Sequence, residues 1–94
     1  FLLSAAVATA MDYVITLGLL AGAMTTGSTI PQILKIIQSK SSRDVSTLFF
    51  LAMSGGMLLW LIYGIMRSDL VIVLWNAISL SLSIVILTLK KIYP

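Results

Sequence analysis

Apolar residues fill this chain in three long blocks, and charged residues stand only at the block ends. Between Asp12 and Lys35 lie 22 uncharged residues, Tyr13 to Leu34. Val45 to Met66 is a second run of 22, closed by Asp44 and Arg67, and Leu70 to Leu89 a third of 20, closed by Asp69 and Lys90. A bilayer core of roughly 30 Å takes about 20 helical residues at 1.5 Å each. Each block therefore predicts one transmembrane helix, over about residues 13–37, 45–66 and 70–89. Composition sharpens the picture. Only 10% of the 94 residues are charged and 60% are hydrophobic, and the mean hydropathy is +1.12. Neither Cys nor His is present, so no disulfide, thiolate metal site or imidazole base is expected, and no cofactor. Six scattered Lys/Arg make no basic stripe for nucleic acid. The chain reads as a single all-α membrane domain.

Basic residues set the orientation. Lys35, Lys40 and Arg43 flank the first connection and Lys90 and Lys91 follow the last span, whereas the second connection, Arg67-Ser68-Asp69, carries one charge of each sign. Five of the six basic residues thus share one side, expected to be cytoplasmic. That places the start of span 1 outside and the C-terminal end inside. Residues 1–10 differ from the rest. Ala8-Thr9-Ala10 has the small-x-small form of a signal-peptidase site directly before Met11. The segment is read as a leader or expression remnant, with residues 11–94 as the domain; an outward extension of span 1 is the other reading.

Several inner faces carry chemistry. Gly18, Gly22, Thr25, Thr29 and Gln32 recur at helical spacing in span 1. The glycines read as a close helix–helix seam; the threonines fit either that seam or a polar passage. Pro31 cannot bond back to the carbonyl of Gly27, so it marks a hinge or a static kink, with Thr26 and Ser28 at hand to satisfy the freed carbonyl. In span 2, Met53, Met57, Trp60, Tyr63 and Arg67 fall on one face. In span 3, Asn76 is a primary amide at membrane depth, with Ser79 and Ser83 continuing a polar line from it. Trp60 and Asn76 are equally far from the outer turn and should share a depth. An indole face covers the apolar C–H side of a sugar ring, and an amide pairs with its hydroxyls as donor and acceptor. An interhelical hydrogen bond would also explain the amide. None of the three apolar blocks contains Asp, Glu, Lys, Arg or His, so a transported solute should be neutral and its movement uncoupled from protons.

The order of these motifs resembles the bacterial SemiSWEET sugar transporters of the SWEET and PQ-loop group. Pro31-Gln32 after Thr25-Thr26 and Ser28-Thr29 looks like the PQ motif, and Lys40-Ser41-Ser42-Arg43-Asp44-Val45-Ser46 like the short cytoplasmic loop. Trp60-Leu61-Ile62-Tyr63-Gly64, then Arg67-Ser68-Asp69 and Asn76, resembles the segment joining the second and third helices. The resemblance implies three helices in the spatial order 1-3-2, paired as a parallel homodimer in a bacterial inner membrane. It implies a uniporter moving a small neutral sugar, such as glucose or sucrose, by alternating access. By this likeness Trp60 and Asn76 bind substrate, Tyr63, Arg67 and Asp69 form the outer gate, and Pro31 and Gln32 the hinge. Phe49, Phe50 and Met53 become inner-gate candidates. A holin-like pore former is the alternative, a proton-coupled PQ-loop amino-acid carrier a third reading, and an enzyme the least supported.

Overall fold

The computed structural model describes residues 2–94 as four helical segments: α1 Leu2–Gly27, α2 Thr29–Ser39, α3 Thr47–Met66 and α4 Leu70–Ile92. Helices α1 and α2 form one span interrupted at Ser28, so three helical rods are long and apolar enough to cross a membrane. The interruption falls three residues before Pro31, where the proline leaves the Gly27 carbonyl without its helical donor. Neither neighbouring hydroxyl compensates it: Ser28 Oγ donates to Thr25 O at 2.6 Å and Thr26 Oγ1 pairs with Ser79.

The element ends have local causes. Span 1 begins at Leu2 rather than near Tyr13, because Leu2–Met11 holds no Pro or Gly to stop a helix. Of the segment read as a leader, Leu2–Ala10 therefore continues α1 without a break, and Phe1 lies outside the described residues. Lys40 ends α2 in the left-handed region (φ 53°). Ser46 caps α3, its hydroxyl accepting from Phe49 N at 3.1 Å, and Asp69 caps α4, its Oδ1 accepting from Ile72 N at 3.2 Å. Lys90 and Lys91 extend α4 beyond the apolar block, with their charge at the favourable end of the helix dipole.

Helix α4 lies between the other two spans, which touch it and not each other, giving the order 1-3-2. The parallel contact with α1 has a constant register. Gly18 meets Val71, Gly22 meets the indole of Trp75, and Thr26 Oγ1 bonds Ser79 Oγ at 2.8 Å, each pair 53 residues apart. The glycine seam is as expected, but its third member is Thr26 and not Thr25, whose hydroxyl turns back to Ala21 O at 3.1 Å. The antiparallel contact with α3 runs from Gly64 against Ile72 to Ser54 Oγ, which bonds Ser83 Oγ at 2.6 Å. The serines of α4 thus serve different neighbours. Hydroxyl pairs of this kind between membrane helices contribute about 0.6–2 kcal/mol each.

Candidate functional site: an aromatic stripe and an amide within the span

Two adjacent stripes at heptad spacing run along α3 and meet different fates. Phe50, Ser54, Met57, Leu61 and Gly64 are at least half-buried and make the side turned toward α4. Phe49, Met53, Gly56, Trp60, Tyr63 and Arg67, one position over, form the other. Its large side chains are bare: Phe49 is 49% exposed, Met53 43%, Trp60 55% and Tyr63 48%. Met57, expected beside Trp60, belongs to the first stripe, and Gly56 takes its place.

Trp60 and Tyr63 pack edge to face, with ring centroids 5.4 Å apart. With Gly56 and Leu59 they line a shallow depression of about 280 Å³. Asn76 is not part of that lining, yet the hairpin register puts it at the same level. Gly64 lies opposite Ile72 and Ser54 opposite Ser83, so stepping four residues inward from the first pair brings Trp60 level with Asn76. The amide itself makes no interhelical bond. Its Nδ2 donates to Ile72 O, one turn back on its own helix, at 2.9 Å. Among the described residues its Oδ1 has no protein partner.

At the end of the bundle that carries the α3–α4 turn, Arg67 and Asp69 line a depression of about 710 Å³ together with Met11, Ile15 and Leu19 of α1. Asp69 has a structural duty that sequence reading missed, the α4 cap, although a carboxylate directly before an apolar run is a recognisable signal for it. The two duties separate by substitution. Asp69→Ala should cost about 0.5–2 kcal/mol in unfolding experiments, while Asp69→Asn, which caps equally well, should stay within a few tenths of wild type. Equal destabilisation by both variants would remove the cap from the account.

The opposite end presents a groove of about 530 Å³ between α2 and α3. Gln32, Phe49 and Phe50 line it, with Lys35, Arg43 and Asp44 at the rim. The two phenyl rings pack edge to face at 5.2 Å. Pro31 and Met53 are exposed and do not line it.

Residues 13–73 match the PQ loop repeat family. The chain is 39% identical over 74 residues to the sugar transporter SemiSWEET of Leptospira biflexa, covering 79% of this chain and 87% of that protein. Its structure resembles that of a bacterial homologue of SWEET transporters, with 42% identity, a TM-score of 0.85, and coverage of 88% of this chain and all of the other. It also resembles SemiSWEET in the inward-open conformation, with 31% identity, a TM-score of 0.74, and coverage of 86% and 87%.

Proposed function

This chain belongs to the PQ-loop family as a SemiSWEET homologue, and from that premise we propose that it moves a small neutral sugar across a membrane as an uncoupled uniporter, working as a parallel homodimer by alternating access. The observation that carries the reading is the level shared by Trp60, which is 55% exposed, and Asn76, whose amide carbonyl has no protein partner among the described residues. Sugars need both surfaces, one for C–H groups and one for hydroxyls.

Shape supports the dimer. The three spans stand in one row with α4 in the middle, since neither α1 nor α2 packs on α3, and the principal extents are 59 × 25 × 14 Å. A slab one helix thick encloses nothing, so a passage needs a second slab facing the bare stripe of α3. A two-fold axis along the membrane normal then doubles every group on that stripe. Trp60 and Asn76 would bind sugar at their shared level, about 9 Å below the α3–α4 turn. Tyr63, Arg67 and Asp69 would close the outer side, with Arg67 pairing to Asp69 across the axis. Phe49, Phe50 and Met53 would close the inner side as α2 swings about the Ser28 break beside Pro31 and Gln32. The basic rim of Lys35, Lys40, Arg43, Lys90 and Lys91 faces the cytoplasm in this arrangement.

Uptake of radiolabelled glucose and sucrose into proteoliposomes tests the proposal, and uptake equal to empty vesicles for every sugar tried would overturn it. Coupling is tested in the same vesicles. With no ionisable Asp, Glu, Lys, Arg or His between the span ends, an imposed proton gradient should leave initial rates unchanged within error. Accumulation above the external concentration, collapsed by a protonophore, would contradict uniport.

A further inference from the structure

The most enclosed polar side chains of the protomer are not at the level of Trp60. Ser42, in the connection between α2 and α3, is 2% exposed, though its neighbours Lys40, Arg43 and Asp44 are exposed. Two bonds to the far end of the chain hold it there. Its hydroxyl donates to the backbone carbonyl of Tyr93 at 2.5 Å, and its own carbonyl accepts from Lys90 Nζ at 2.8 Å. The same carbonyl also takes the turn bond from Val45 N at 3.0 Å. Deeper in the membrane from this junction, Ile36 of α2 and Ile86 of α4 are the two most completely buried apolar side chains among the described residues.

We propose that Ser42, Lys90 and the Tyr93 carbonyl form a clasp that fastens the inner half of span 1 to the end of α4, and that its release sets how readily the inner mouth rearranges. The inference rests on the transport reading for its functional half. On one side α2 borders the 530 Å³ groove facing α3, where space is open. Ile36 and Ser42 line its floor, and α2 is held to α4 by direct helix contact and by the clasp. Little slack lies between α2 and Ser42, because the Ser39 hydroxyl reaches both Lys35 O (2.7 Å) and Ser41 O (3.3 Å), folding the start of the connection onto the helix. A swing of α2 about Ser28 toward the groove therefore pulls on Ser42 directly. Either the two bonds part, or the last turn of α4 travels with α2. The rest of α4 is fixed by its seams with α1 and α3, so parting is the cheaper course. Ser42 is thus a positioning residue, remote from Trp60 and Asn76 and touching no sugar.

The experiment is hydrogen–deuterium exchange of the full chain in lipid nanodiscs, alongside sugar uptake into proteoliposomes. Ser42→Ala removes the hydroxyl, Lys90→Met removes the ammonium while keeping an apolar stem, and Ser42→Thr retains the hydroxyl. Exchange over residues 36–46 should rise about three- to tenfold in S42A and K90M, stay near wild type in S42T, and leave α3 and the outer half of α1 unchanged. Sugar turnover should shift at least about twofold in S42A and return in S42T. A rise spread evenly over all three spans, or none at residues 36–46, would show ordinary stabilisation and overturn the clasp. Local acceleration with unaltered turnover would overturn its coupling to transport. Failure of the wild-type chain to move any sugar would count against the transport reading alone, since the exchange measurement needs no sugar.

Discussion

Proteoliposomes carrying Trp60→Ala should take up no more sugar than empty vesicles, and Asn76→Ala should have the same outcome, while both variants still assemble as dimers. A binding site at this level has few other resources, since the three apolar blocks hold no charge and the hydroxyls of Thr26, Ser54, Ser79 and Ser83 are occupied between helices. Removing the amide leaves sugar hydroxyls unpaired in a water-poor passage, at about 1–3 kcal/mol for each lost partner. Both copies lose it together in a dimer, so the loss reaches about 2–6 kcal/mol, or roughly 30- to 10⁴-fold in affinity at 1.4 kcal/mol per tenfold. Losing the indole removes the bare aromatic face at that depth, because the other indole there, Trp75, is packed against Gly22. Trp60→Phe keeps a smaller face and should retain part of the uptake. Dimers are scored separately by cross-linking in the same membranes, so a failed assembly is not mistaken for a failed site. Uptake at the wild-type rate by both alanine variants would return Trp60 and Asn76 to simple packing roles.

Gly22→Ala should be the most damaging single-methyl change in the chain. A Cβ on Gly22 falls among the ring atoms of Trp75, including the carbon nearest the α4 backbone. The indole has no easy retreat, because Gly18 against Val71 one turn outward and Thr26 against Ser79 one turn inward hold the two helices at the same separation. Overpacking of this kind costs about 1–3 kcal/mol. The melting temperature in detergent should fall by several degrees, and uptake should drop with it. Two comparisons isolate the cause. Gly55→Ala, where a Cβ meets nothing within 4 Å, should melt like wild type. The double variant G22A/W75L should recover much of the loss, and it sacrifices no hydrogen bond because the buried Trp75 Nε1 has no partner. A G22A protein as stable as wild type would mean that the seam is looser than its register indicates.

The architecture was largely written in the charges. Solvation forces charges out of the hydrocarbon, and Asp12 to Lys35, Asp44 to Arg67 and Asp69 to Lys90 each bracket about one bilayer of helix, so the spans and the small-residue seam at Gly18 and Gly22 could be read directly. Which hydroxyl continues that seam could not. Thr25 and Thr26 both lie within helical spacing of Gly22, and the choice depends on the crossing of α1 over α4, set by the bulk of Val71 and Trp75 on a different helix. Met57 and Gly56 pose the same ambiguity on α3. At the candidate site the depth of Trp60 and Asn76 followed from counting outward to a three-residue turn. The direction of the Asn76 amide did not, because the backbone carbonyl of Ile72 competes with every interhelical acceptor and wins by proximity. Ser42 was invisible for another reason: an isolated serine in a polar loop has the same local pattern whether or not a distant lysine and carbonyl close over it.

The central place of α4 also has a consequence in time. Span 1 is made first, but every neighbour it has within the protomer belongs to the span made last, 53 residues later along the Gly18–Thr26 register. At a synthesis rate of about 5–20 residues per second, that interval is roughly 3–10 s. Throughout it the first helix stands in lipid with its glycine groove open and the Thr26 hydroxyl unmatched. The α3–α4 contact joins elements adjacent in the chain, whereas the first span can dock only once α4 is made. Biogenesis therefore runs opposite to chain order at its final step, and a nascent chain stalled before α4 holds a correctly inserted first helix with nothing in its own protomer to bind.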